Sequence, residues 1–358
     1  MVDSMSRPYG GPIFDVQAHA IKPSSYDAVT FGVRTSVGLA DSTIETITND
    51  ICKKLADDLC GSDRRRALGR EGKQVVTINT FFPTLPAQSM LKIVDDLNMW
   101  MSSKTAGNPQ LIGTASIPSP PFLAKAGLSP NGQSFTKEGT NRLRYAITTL
   151  GLKAILFASN YDGVFLGDSA YDPYFALAEE LAVPIIIHPA IDPVDGDFIR
   201  RKNIPTFSGF LNDQRTTLLD LVMAGTLEKY PKLIIIATHL GGGILTSLGR
   251  FKALSNRFPG DQWYTDLEGN KQILPHPIDH YLKMIHYDCN NAEVSDILHA
   301  ASIVGVDHLL TGSDYPWTDD TFTRQILGQL DESMRSKLAY DNAAKLFGHD
   351  TSTVLVKP

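Results

Sequence analysis

Short apolar runs recur along this chain, and helically spaced stretches separate them. The runs are 13–20 (IFDVQAHA), 74–80 (QVVTINT), 111–117 (LIGTASI), 152–158 (LKAILFA), 183–189 (VPIIIHP), 233–239 (LIIIATH), 285–291 (IHYDCNN) and 309–316 (LLTGSDYP). Several are almost unbroken Ile, Leu and Val, the pattern of parallel strands buried on both faces. Apolar spacing predicts helices over 87–103, 137–150, 173–182, 213–229, 244–256, 292–304 and 321–347, the last as two helices. Such alternation of strand and helix predicts an α/β fold, a (β/α)8 TIM barrel. An open doubly wound sheet would ordinarily show a glycine-rich phosphate turn after an early strand, and none is present. The pattern covers about 13–348 of the 358 residues without a repeat or a clear boundary, so 1–358 reads as one domain.

Two connections are longer than usual: residues 21–73 after the first strand and 118–136 after the third. Both leave the C-terminal ends of their strands, the face where barrels of this type place substrate loops. Pro118, Pro120 and Pro121 predict that the second insertion is partly extended.

Composition narrows the partners. Hydrophobic content of 42% and charged content of 20% suit a globular chain with a large core. With a formal charge of −6 and no basic block beyond Arg64-Arg65-Arg66, a nucleic-acid surface is excluded. The arginine triplet reads as a solvated helix face. Cys52, Cys60 and Cys289 lack metal-type spacing and leave an odd thiol, which points to a reducing, cytoplasmic setting. No apolar run approaches the ~20 residues needed to cross a bilayer.

The polar residues change the picture further. Gln17 and His19 end the first strand, His188 the fifth, His239 the sixth and Asp314 the eighth. In a barrel these five converge on one mouth. Any one such histidine alone is ordinarily a hydrogen-bonded structural residue. Burying several imidazoles with a carboxylate is costly unless they pair or bind something, and a divalent metal ion suits that donor set.

The stretches FDVQAHA, AVPIIIHPA, LEKYPKLIIIATHLGGGILTSLGRF and LLTGSDYPW are similar in order and spacing to the amidohydrolase-2 family of the metal-dependent amidohydrolase superfamily. This branch is typified by aminocarboxymuconate semialdehyde decarboxylase. The resemblance implies a metal at the strand C-termini held by His19, His188 and Asp314, with Gln17 in the first-ligand place. It implies that His239 handles protons and that Arg250 reaches a substrate carboxylate across a homodimer interface. The alternative for Arg250 is an ordinary surface arginine. Trp317, beside Asp314, either lines the pocket or packs the rim.

Because a glutamine carbonyl coordinates without supplying charge, three outcomes remain open: a weakened Zn²⁺ site, a harder ion such as Mg²⁺ or Mn²⁺, or catalysis without metal. The leading expectation is a metal-dependent, non-oxidative decarboxylase of a small aromatic or unsaturated carboxylic acid, with Asp314 able to protonate the carbon. The alternatives are a metal-dependent hydrolase of a lactone, amide or carbon–carbon bond, and a non-catalytic binding relative. His276 and His280 read as surface residues, Asn160-Tyr161-Asp162-Gly163 as a turn, and Arg215 as a structural contact.

Overall fold

The computed structural model describes residues 7–20, 22, 64, 68, 69, 71–78, 85–190, 204–257, 274–315, 317, 318 and 320–349. Most of the 21–73 insertion, Cys52, Cys60, Arg65, Arg66 and Pro316 lie outside them.

Eight parallel strands are hydrogen-bonded in chain order: β1 Phe14–His19, β2 Lys73–Thr77, β3 Leu111–Ala115, β4 Ala154–Ala158, β5 Ile185–His188, β6 Ile235–Ala237, β7 His286–Asp288 and β8 Leu309–Leu310. The segment following β8 returns to β1. Val16 N–H donates to the Thr311 carbonyl at 2.8 Å, and His19 N–H donates to the Tyr315 carbonyl at 2.7 Å. This closes the eight-stranded sheet into a barrel, so that its first and last strands are not left as open edges.

Two apolar layers follow from the period-two alternation of the strands. Val16, Val75, Ile112, Leu156, Ile186, Ile236 and Leu310 form one buried cluster with Tyr340, Ala343 and Ala344 from the C-terminal helices. The alternate residues Val76, Ile155, Phe157, Ile185, Ile187, Ile235 and Tyr287 belong to the larger cluster shared with the surrounding helices. Because Ile186 packs in the first layer, His188, two residues on, follows it on the same side of β5.

Helices occupy the predicted stretches, with local differences. The predicted 213–229 helix is two, Phe210–Met223 and Thr226–Lys229, separated at Gly225 in the left-handed region (φ 73°). The 244–256 stretch opens with a 3-10 turn, Ile244–Ser247, before the α-helix Leu248–Arg257. A π-helical turn, Lys337–Asp341, interrupts the C-terminal stretch.

Two expectations are corrected. The 118–136 insertion is extended at Ser119, after Pro118, but from Pro120 it forms a helix, Pro120–Ala126. Pro120 and Pro121 sit in its first turn, where a missing N–H removes no helical bond, and Ser119 caps it by accepting from Phe122 N–H at 3.4 Å. Arg64 is not solvated but only 2% exposed. Its guanidinium donates to Gln74 Oε1 and, at 2.7 Å, to the His19 carbonyl, and lies 4.8 Å over the Tyr315 ring. A run of like charges says nothing about which member finds acceptors beneath it.

Candidate metal and catalytic site

Asp15 anchors the site from below. Its Oδ1 accepts from Gln17 N–H (3.1 Å) and Ser313 N–H (2.9 Å), and its Oδ2 accepts from Gln74 Nε2 (2.6 Å) and Ser313 Oγ (2.5 Å). Burial pushes this carboxyl up to about 6 in spite of those bonds. Through it β1 and the turn after β8 are tied together directly beneath Gln17 and Asp314.

Two site residues sit in strained backbone. His239 (φ 51°) and Asp314 (φ 57°) are left-handed, a conformation that costs a non-glycine residue ~1–2 kcal/mol. For His239 the strain is held by its N–H donating to Asp288 Oδ1 at 2.8 Å. For Asp314 the hold is its own N–H to the Gln17 carbonyl at 2.9 Å and the Trp317 N–H to its carbonyl at 2.8 Å. The glycines after His239 allow the tight reversal: a Cβ on Gly242 would stand 2.0 Å from the Leu211 carbonyl oxygen.

Hydrogen bonds fix the tautomer of each imidazole. Thr77 Oγ1 lies 3.0 Å from the Ala18 carbonyl, which takes its single proton, so at 2.9 Å it accepts from His19 Nδ1–H. His188 Nδ1 lies 2.9 Å from the Pro189 carbonyl, an acceptor only, and therefore carries the proton. Asn290 settles His239. Its Nδ2 faces the Gly312 carbonyl (3.4 Å) and its Oδ1 receives Asn291 Nδ2 (2.8 Å), so Oδ1 is the atom 2.9 Å from His239 Nδ1 and that nitrogen donates. In the neutral form of each ring, then, Nδ1 carries the proton and Nε2 the lone pair.

Those lone pairs meet a carboxylate. His19 Nε2 is 2.7 Å and His188 Nε2 3.9 Å from Asp314 Oδ1, and donor atoms of these three residues lie within 4.8 Å of one another. His188 Nε2 is buried with no hydrogen-bond partner. Two bare acceptors 2.7 Å apart repel unless a proton or a cation stands with them. Burial opposes charge on Asp314, but the His188 and His19 contacts outweigh it and hold its carboxyl well below the usual range; burial lowers His188. The donor set of two imidazoles and a carboxylate fits a divalent ion.

The other predicted residues divide. Gln17 is brought in, its Nε2 donating to Asp314 Oδ1 at 2.8 Å and lying 3.4 Å from His239 Nε2. Trp317 is half-buried in the turn of Asp314. Arg250 is exposed on the helix Leu248–Arg257, outside the buried cluster of this subunit. His276 and His280 are exposed. Asn160 Oδ1 accepts from Gly163 N–H at 3.0 Å, which is turn chemistry, and Arg215 donates to the Gly242 carbonyl. Pattern reading missed Asn290, Asp288, Thr77 and Asp15. The polar tail of IHYDCNN was the one available signal, and it was read only as the end of a strand.

The amidohydrolase family model (Amidohydro_2) matches residues 94–349. A gamma-resorcylate decarboxylase from Rhizobium radiobacter is 23% identical over 233 residues, 59% of this chain and 66% of that enzyme. A decarboxylase from Penicillium terrestre is 23% identical over 219 residues, 57% of this chain and 62% of that one, so the match spans less than two thirds of either relative. Among solved structures, 5-carboxyvanillate decarboxylase from Novosphingobium aromaticivorans, with manganese and 4-hydroxy-3-methoxy-5-nitrobenzoic acid, aligns with a TM-score of 0.75 at 17% identity, covering 95% of this chain and 96% of that one. A dihydroxybenzoic acid decarboxylase from Polaromonas, with manganese and 2-nitroresorcinol, aligns with a TM-score of 0.74 at 17% identity, covering 94% and 97%. With more than half its length matched by the family model and its eight strands closed into the same barrel, this chain belongs to the amidohydrolase family.

Proposed function

We propose that this protein is a metal-dependent, non-oxidative decarboxylase of a small aromatic or unsaturated carboxylic acid. The observation that carries the reading is the cluster of His19, His188 and Asp314, whose donor atoms lie within 4.8 Å of one another at the C-terminal ends of the strands. The reaction class rests on the decarboxylases among its relatives. His19, His188 and Asp314 would hold the ion, with Gln17 in the fourth place. A divalent ion bound there supplies charge that orients and polarises a substrate carboxylate and a neighbouring hydroxyl. Manganese, present in the structural neighbours, is the first ion to try.

His239 is the proton-handling residue: Asn290 holds its Nδ1–H, so Nε2, 3.4 Å from Gln17 Nε2, is the atom that would accept a proton. Asp314, whose Oδ1 faces both ligand histidines, would hold the ion and would relay to the carbon that loses CO₂ a proton that reaches it from water by way of His239. A positioned acid or base of this kind contributes ~10²–10⁴-fold. Trp317 lines the rim, and Arg250 completes the pocket of the neighbouring subunit in a homodimer. The wide spacing of the cysteines supports a reducing, cytoplasmic setting.

The same residues would also serve hydrolysis, so the test must separate the two reactions. Mn²⁺-loaded protein is incubated with 2,6-dihydroxybenzoate or 5-carboxyvanillate in ¹⁸O-labelled water while CO₂ is measured. Decarboxylation releases CO₂ and leaves no label in the aromatic product. Label incorporated without CO₂ from a lactone or amide panel would replace this reading with a hydrolase.

A further inference from the structure

Two buried oxygens in the site lack donors: Gln17 Oε1 and Asp288 Oδ2. Both side chains are fully buried. Both atoms border the space over Gly312, for a Cβ placed on Gly312 would stand 2.8 Å from Asp288 Oδ2 and 3.1 Å from Gln17 Oε1. A side chain at position 312 would separate them. Leaving two buried acceptors without a donor is unfavourable by ~1–3 kcal/mol for each. Meanwhile the Gln17 Nε2 group points the other way, donating to Asp314 Oδ1 at 2.8 Å and occupying the place where a ligand oxygen is wanted.

A half-turn of the Gln17 amide about its last torsion resolves both faults, because it exchanges the positions of oxygen and nitrogen. Nε2 then donates into the space over Gly312, to Asp288 Oδ2. Oε1 then takes the place of Nε2, beside Asp314 Oδ1 and facing His239 Nε2. Two oxygens that close repel each other, and a cation between them removes the repulsion. Asp288 is firmly placed for the task, since its Oδ1 is already held by His239 N–H (2.8 Å) and Asn290 N–H (3.1 Å), leaving Oδ2 as its one unused acceptor.

We infer that Asp288 is a positioning residue for the metal site, turning the Gln17 amide so that its oxygen, not its nitrogen, faces the ion. This rests on the metal reading above and deepens it. It also gives a reason for glutamine at this place. A carboxylate at 17 would set a second negative group against Asp288, whereas an amide coordinates on one side and donates on the other. The ligand here stays neutral, and the compensating negative charge sits one shell further out.

The test is an exchange of donor and acceptor, read as Mn²⁺ affinity by titration with electron paramagnetic resonance. In Asp288→Asn a new amide donor satisfies Gln17 Oε1 where it now lies and locks the nitrogen toward the ion. This variant should bind Mn²⁺ at least ~10-fold more weakly, the scale on which outer partners act. Adding Gln17→Glu reverses the polarity of the pair, so the double variant should regain or exceed the wild-type affinity. Wild-type affinity in folded Asp288→Asn overturns the inference. Should that variant not fold, a Mn²⁺-loaded wild-type crystal decides: Gln17 Oε1 on the ion with Nε2 on Asp288 supports it, and Nε2 still toward Asp314 overturns it. Wild-type protein that binds no Mn²⁺ sinks the metal reading and this inference with it, an outcome distinct from wild-type-like binding by the variant.

Discussion

Asn290 controls the chemistry of His239 without sharing in it. The amide can face only one way, because the Gly312 carbonyl demands its nitrogen, and this forces the proton of His239 onto Nδ1. Removing the acceptor in Asn290→Ala should let the ring populate the other tautomer. A fall in kcat of roughly 10–100-fold with little change in KM is the expected result. Ring ¹⁵N spectra of metal-free protein labelled at histidine read the tautomer directly, and Asn290→Asp, which keeps an acceptor, should retain the Nδ1–H form. An unchanged His239 tautomer in Asn290→Ala would remove this role. At this scale the candidate ligands were legible as polar residues ending apolar runs. Their supporting residues were not, because Thr77, Asp15 and Asn290 act through partners 58, 298 and 51 positions away.

At the level of elements, period-two alternation locates His188 correctly and fails for His239. Ile236 packs in the inner layer, so strict alternation would send Thr238 inward and His239 outward. The left-handed turn that begins at His239 overrides the alternation, and the glycines that permit it were visible in the sequence without revealing its direction. The other end of the barrel holds a titrating element. His286, at the start of β7, stacks on His308 with ring centroids 4.7 Å apart, and burial pushes its pKa down to about 4. Between pH ~6.5 and 4 the unfolded chain therefore takes up a proton that the native chain refuses, and stability falls with pH by at most about 3 kcal/mol. Asp15 and Asp288, each raised to about 6 by burial, act in the opposite sense. Their folded forms bind protons first, so their ionisation strain is relieved as pH falls from about 6 toward 4. In the metal-free protein these contributions oppose each other. The variant His286→Gln should melt at a higher temperature than wild type at pH 4.5 relative to their difference at pH 7.5. Parallel melting curves for the two proteins across that range would show that His286 does not titrate this way.

For the whole molecule, closure of the barrel is what makes a site at all. Gln17 and Asp314 lie 297 residues apart, and the pairing of β1 with the segment after β8 brings them within hydrogen-bond distance. Arg250 stays outside that cluster and exposed. If each pocket is completed in trans, Arg250→Ala and His239→Ala chains, each nearly inactive alone, should form mixed dimers with one intact pocket. Random mixing would then restore up to roughly a quarter of wild-type activity. Mixed dimers confirmed by mass spectrometry but without activity would mean that each subunit works alone.

The order and period of apolar residues determined the strand–helix alternation, and with it the barrel and the face on which polar strand ends gather, because burial on two faces leaves few other ways to satisfy such runs. Local chemistry also marked Gln17, His19, His188, His239 and Asp314. Tertiary structure alone decided which nitrogen of each imidazole carries the proton, that Arg64 is buried, and that Asp288 faces Gln17 over a glycine. Those outcomes depend on hydrogen bonds between segments remote in the chain, where a single acceptor settles the orientation of its partner and no periodicity records the encounter.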